Sequence, residues 1–169
     1  DGSIDPDEAL LGPKEKALSL LRAMKADGSR IKPNVITYNA AIRACAEAFD
    51  MDQAFALFED LKEQGLEPSV VTYGSLMTAC ERVGNLEAAS KVMRTMREED
   101  GHVKPNEVIF GAAISCCRKA GEGDRAYVLL QKMMKEGLSP NTATFNTALM
   151  AQFEGKADLQ AAVAIYKLL

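Results

Sequence analysis

Tryptophan is absent from this 169-residue chain, histidine occurs once, and none of the common catalytic or nucleotide-binding strings is present. There is no phosphate-cradling loop of the Gly-x-x-x-x-Gly-Lys-Ser/Thr kind, no Gly-x-Ser-x-Gly, no Cys-x-x-Cys and no His-Glu-x-x-His. Nothing in the sequence therefore predicts an enzyme or a cofactor site. Uninterrupted apolar runs extend only a few residues, too short to span a bilayer, so no membrane insertion is expected. An initiator methionine and a basic segment leading into an apolar one are also missing, so no signal peptide is visible. The last pattern breaks off within a helix, and the chain reads as a piece of a longer protein. Excess positive charge is lacking too: 20 Lys and Arg stand against 24 Asp and Glu, for a net charge of −4. That weighs against a broad electrostatic footprint for nucleic acid, while leaving room for local basic residues and base contacts.

What the chain does have is a repeat. The strings VITYNAAIRACAEAF (Val35–Phe49), VVTYGSLMTACERVG (Val70–Gly84), EVIFGAAISCCRKAG (Glu107–Gly121) and TATFNTALMAQFEGK (Thr142–Lys156) align without gaps. Their fourth residues, Tyr38, Tyr73, Phe110 and Phe145, lie 35, 37 and 35 residues apart. Ala54, Ala89, Ala126 and Ala161 hold the twentieth place. Apolar residues follow each at +3, +4 and +7: Leu57, Phe58 and Leu61 in the first copy, then Val92, Met93 and Met96. That spacing is one face of an amphipathic helix. Ala17, Leu20, Leu21 and Met24 give an earlier copy of it. Gly65, Gly101 and Gly137 suit helix C-caps, and Pro68, Pro105 and Pro140 close the units.

The predicted organisation is a linker or degenerate helix at 1–12, a partial repeat at 13–34, full repeats at 35–69, 70–106 and 107–141, and a partial repeat at 142–169. A first helix is predicted near 35–48, 70–83, 107–120 and 142–154. A second is predicted near 14–26, 51–64, 86–99, 123–136 and 158–169. One hairpin cannot bury its apolar stripe alone, so the fold class is all-α, an α-solenoid (superhelix) of stacked antiparallel helix-turn-helix repeats of about 35 residues. In the first helix of each repeat, places four, eight and eleven form the buried seam. Places two, five, nine and twelve or thirteen share another face, which stacking aligns into a groove.

Cys45, Cys80 and Cys117 recur at the eleventh place, with Cys116 beside the last. Successive slots lie roughly one packed-helix spacing (~10 Å) apart, beyond the ~7 Å reach of a disulfide. Core packing of free thiols is the favoured reading, and the eight methionines mostly occupy core places, such as Met93, Met96 and Met133. His102 has no obvious partner in the sequence. Charge runs such as Arg97-Glu98-Glu99-Asp100 read as solvated faces of second helices.

The strings VITYN…EQGLEPS, VVTYG…GHVKPN and EVIFG…EGLSPN resemble the pentatricopeptide repeat, from about residue 14 to the end. The tetratricopeptide repeat fits less well. It prefers a small residue at the eighth place, where this chain has Ile42, Met77, Ile114 and Leu149. The resemblance implies single-stranded RNA binding, one base per repeat, in a chloroplast or mitochondrion, in transcript processing, stability or translation. It further implies that the fifth and last residues of each repeat read the base: Asn39 with Ser69, Gly74 with Asn106, Gly111 with Asn141, and Asn146 with a partner past Leu169. An Asn amide both donates and accepts, so it can match a Watson–Crick edge. Ile36, Val71, Val108 and Ala143 at the second place would pack on base faces. Arg82 and Lys119 at the thirteenth place would meet phosphate, whereas Glu47 and Glu154 oppose it. Glycine at two reading places removes the discriminating side chain, so weak RNA binding is expected of this segment alone. Asn34, Asn106 and Asn141 also suit helix N-caps, a role compatible with reading. The main alternative is a protein–protein interaction scaffold within a larger complex, which the acidic charge and the two glycines favour. A substrate-binding arm for a catalytic domain elsewhere is the third.

Overall fold

In a computed structural model the chain is described at residues 11–26, 28, 30–98, 103–154 and 163. Eight helices and no strand occur among these residues: α1 (Pro13–Lys25), α2 (Val35–Glu47), α3 (Met51–Glu63), α4 (Val70–Val83), α5 (Leu86–Glu98), α6 (Glu107–Lys119), α7 (Gly123–Lys135) and α8 (Thr142–Glu154). The architecture is an α-solenoid of antiparallel helix hairpins, and each helix begins and ends within one residue of where the periodicity predicts it. Residues 1–10 of the predicted linker or degenerate helix, the helix predicted at 158–169 apart from residue 163, Gly101 and His102 lie outside the described residues.

Short polar side chains start most of these helices, whereas Gly12 before α1 and Glu122 before α7 make no side-chain cap. Asn34 accepts the Thr37 amide at 3.0 Å, while the Asn34 amide donates to Thr37 Oγ1 at 3.4 Å, a reciprocal capping box. Asp50 accepts from the Gln53 amide at 3.1 Å to begin α3, and Asn85 accepts from Ala88 at 2.9 Å to begin α5.

The turns that follow the first helices need a left-handed residue. Gly84 and Gly121 supply it at φ of 77° and 71°, and Phe49 occupies the same step at 60°. A Cβ crowds the backbone in that region, so Phe49 is strained where glycine is not. Its ring is 61% exposed, so little burial offsets the strain. Phe49→Gly is therefore expected to raise stability by about 1 kcal/mol. Urea unfolding would show it, and equal or lower stability would refute it.

Two compact units divide the chain, residues 1–79 and 80–169, with the boundary inside α4. In the first, α2 packs against both α1 and α3. Tyr38, Ile42 and Cys45 line its seam at 0% exposure, and Tyr73 stands against Phe58 with ring centroids 5.5 Å apart. In the second, α6 meets α5, α7 and α8, and α7 also meets α8. Phe110, Ile114, Cys117, Leu130 and Met133 are buried there.

Burial departs from the expected seam at the ends. Leu20 is 65% exposed, because no described helix covers that flank of α1. Leu149 and Leu129 are half-buried rather than buried. Arg97, expected on a solvated face, is half-buried: it pairs with Glu136 at 2.8 Å and lies 5.9 Å from the Phe110 ring centroid. All four cysteines are free and buried. Burial pushes the thiols of Cys80 and Cys116 up to about 12 and that of Cys117 to about 11, so they pack as neutral thiols.

Candidate functional site

Second-place residues lead the first turn of each first helix with their side chains in solvent. Ile36 is 76% exposed, Val71 58% and Val108 64%, and Ala143 is exposed as well. Exposed β-branched aliphatics at the same register of consecutive hairpins contribute nothing to the core, which leaves them available as contact surface. Each stands three residues before a fifth-place residue, on the same helix face.

In the first unit the structure brings Asn39 and Ser69 together. The Asn39 amide nitrogen donates to Ser69 Oγ at 3.4 Å, and Thr72 Oγ1 donates to Asn39 Oδ1 at 2.7 Å. Ser69 is itself the cap of α4: its amide donates to Thr72 Oγ1 at 2.9 Å and its hydroxyl accepts from the Thr72 amide at 3.3 Å. The half-buried Asn39 carboxamide thus keeps one N–H and one oxygen lone pair beyond this cluster. Thr72 went unremarked in the sequence, yet it orients Asn39. The available signal was threonine at the third place in Thr37, Thr72 and Thr144, the N3 position of a capping box. Gly74, on the same helix, opens on empty space: a Cβ there would meet nothing within 4 Å.

The second unit repeats the pattern with one member missing. Asn141 caps α8, its oxygen accepting from both the amide (2.9 Å) and the hydroxyl (3.0 Å) of Thr144. Both carbonyl lone pairs are thereby engaged, and the amide nitrogen remains as a donor. A Cβ on Gly111 would stand 3.8 Å from Thr144 Oγ1, so fifth-place residue, third-place threonine and cap are again neighbours. Asn106 caps α6 by accepting from the Ile109 amide at 3.1 Å. Asn146 is exposed on α8. Of the pair Gly74 and Asn106, the first lies in one unit and the second in the other.

Thirteenth-place residues are largely engaged within the protein. Glu47 pairs with Arg43 at 3.1 Å, one helical turn earlier. Glu154 receives two bonds from Arg118, at 2.8 and 2.7 Å, which hold its carboxyl below the usual range. Lys119 donates to the main-chain oxygens of Glu81 and Arg82. Arg82 is exposed in the last turn of α4. Among the described residues no group of three or more His, Cys, Asp or Glu could hold a metal, and no helix is long and apolar enough to cross a membrane.

Several comparisons bear on this arrangement. The PPR repeat family model matches residues 33–82 and 105–151, together more than half of the chain. The pentatricopeptide repeat domain model matches 9–48, and the PPR repeat model 71–100. No curated protein matches. Among solved structures, the pentatricopeptide repeat protein PPR10 from maize is 31% identical over 95% of this chain and 22% of its own, with a TM-score of 0.68. PPR10 in complex with an 18-nucleotide psaJ RNA element is 25% identical over 90% of this chain and 22% of its own, with a TM-score of 0.72. The PPR domain of protein-only RNase P 1 from Arabidopsis thaliana, in complex with tRNA, shares the fold at 18% identity and a TM-score of 0.76, over 92% of this chain and 80% of its own. This chain spans about a fifth of the PPR10 structures it matches. With its repeats covered by those family models, the chain belongs to the pentatricopeptide repeat family.

Proposed function

We propose that this chain binds single-stranded RNA along the exposed faces of its first helices, as a repeat segment of an organellar protein, chloroplast or mitochondrial, that acts in transcript processing, stability or translation. The repeats are those at 35–69, 70–106 and 107–141, with partial units at 13–34 and 142–169 and a leading linker or degenerate helix at 1–12. The observation that carries the reading is the Asn39–Ser69–Thr72 cluster, where a carboxamide is oriented by two hydroxyls and retains a donor and an acceptor. Such a couple can pair with a donor beside an acceptor on a Watson–Crick edge, and the lean of the Asn39/Ser69 pair toward a pyrimidine is what the family resemblance implies. Ile36, Val71, Val108 and Ala143 supply apolar packing for base faces, and Arg82 a phosphate contact. Asn106 and Asn141 contribute donors, Asn146 a carboxamide, and Gly74 and Gly111 no side chain, so those repeats discriminate little. The solved PPR10–RNA complex supports this reading at 25% identity.

Gly111→Asn provides the test. The new carboxamide would stand beside Thr144 Oγ1 as Asn39 stands beside Thr72. One added net hydrogen bond corresponds to about fivefold tighter binding, confined to one nucleotide position. Fluorescence anisotropy against a randomised RNA pool at low salt, followed by sequencing of the bound fraction, reads both affinity and position. If neither the chain nor the variant binds any member of the pool, the proposal fails. The scaffold reading draws on one observation of its own, the neutralisation of Arg43 and Arg118 by Glu47 and Glu154, which removes cations that RNA would need.

A further inference from the structure

Lys119 occupies the thirteenth place of α6, where a phosphate contact was expected. Its ammonium donates to the carbonyl oxygen of Glu81 and, at 3.5 Å, to that of Arg82, both in the last turn of α4. That turn ends on Gly84, whose amide is shared between the Cys80 and Glu81 oxygens, and on Asn85, whose amide returns to Cys80. A carbonyl oxygen has two lone pairs, so the Glu81 oxygen can accept from Lys119 beside the Gly84 amide, and the negative end of the helix dipole favours a cation there. The Lys119 stem follows the same course. A Cβ built on Gly84 would meet Lys119 Cβ at 3.4 Å and Cδ at 3.5 Å. The whole side chain is therefore laid along the end of α4.

One hairpin further on, the same register is fastened by different chemistry. Glu154, at the thirteenth place of α8, is held by the paired bonds from Arg118 of α6. Across these two consecutive junctions, a thirteenth-place side chain joins neighbouring first helices. We infer that this place is a fastening position in the second unit, and that Lys119 is a positioning residue: it caps the last turn of α4 from the next hairpin and fastens α6 to that turn, without contacting phosphate. Only the second half of the following test rests on the RNA-binding reading.

Lys119→Met keeps the stem against Gly84 and removes the donors. Its expected effect is about fivefold faster exchange of the Gly84 and Asn85 amides, because the last turn of α4 opens more readily. Lys119→Arg, which retains donors, should restore the protection. In RNA binding, Lys119→Met should leave the slope of log affinity against log salt unchanged, whereas loss of one phosphate contact would lower it by about 0.7. Unchanged exchange in Lys119→Met, or a slope reduced by that amount, overturns the inference. Should the parent chain bind no RNA, the proposed function fails separately, and the exchange measurement alone decides the role of Lys119.

Discussion

Gly123→Ala is expected to destabilise the second unit by about 3 kcal/mol, because the added methyl group has nowhere to go. A Cβ at this buried position would stand 2.8 Å from the Ala151 carbonyl oxygen, 3.0 Å from Gln152 Cα and 3.1 Å from Gln152 Cδ. Two of those three atoms are backbone, so relief requires moving α7 away from α8. The reason glycine sits there emerges one hairpin earlier. Leu86 holds the same seventeenth place in α5 and packs on the cluster containing Cys117, which holds the eleventh place of α6. In the next junction the sizes are exchanged: Gly123 at the seventeenth place meets Gln152 at the eleventh. A large residue against a small one fills the junction in either order, and two large ones overfill it. Gln152→Cys should consequently recover part of the Gly123→Ala loss, with a coupling of about 1 kcal/mol. Thermal unfolding of the four proteins in this cycle measures it, and a Gly123→Ala variant melting at or above the parent would sink the packing account.

The second large effect is expected at Asp60, which ties α1, α2 and α3 together. Its carboxylate accepts from the hydroxyl of the fully buried Tyr38 at 2.8 Å and from the Lys25 ammonium at 2.7 Å to each oxygen. Asp60→Ala leaves the Tyr38 hydroxyl buried without an acceptor and should cost about 2 kcal/mol. Asp60→Asn keeps an acceptor and removes only the charge, so it should cost roughly half as much. Burial by itself would raise the Asp60 carboxyl, but the bonds from Lys25 and Tyr38 outweigh it and hold the group below the usual carboxylate range. Asp50 is likewise depressed, by the Gln53 amide first and by Lys14 at 3.1 Å second. A folded pKa below the unfolded value of about 3.9 means that these carboxylates stabilise the protein fully above that pH, and that the contribution is lost as pH falls through the folded value. The acid loss of stability in the first unit should therefore be shallower in the Asp60→Asn variant. An identical pH profile, or an Asp60→Ala variant as stable as the parent, would remove Asp60 from this role.

These two sites mark the limit of what could be read in the sequence. Periodicity reports the average side of a helix that faces inward, so it located the helices and the buried places of Tyr38, Tyr73, Phe110 and Phe145. It is blind to which individual side chains meet between hairpins. The Gly123–Gln152 exchange, the reach of Lys119 to α4 and the Asp60 node all depend on partners roughly one repeat away, or on the opposite helix of the hairpin. The unpaired state of Gln152 Nε2, buried with no hydrogen-bond partner among the described residues, was equally invisible, since cysteine holds that place in the preceding repeats. At the candidate site, exposure of the second-place aliphatics followed from their register. The orientation of Asn39 by Thr72 did not, because it joins two helices whose separation no spacing encodes.

Ser69, Asn106 and Asn141 each begin a helix with the side chain that also closes a repeat. A residue whose side chain caps a helix start is drawn mainly from Asn, Asp, Ser and Thr, and replacing one of them by alanine costs about 1 kcal/mol. Whatever partner these positions recognise, capping biases their spelling toward short oxygen-bearing side chains. Diversification beyond that alphabet is freer at residues such as Gly74 and Gly111, which no helix needs for its start.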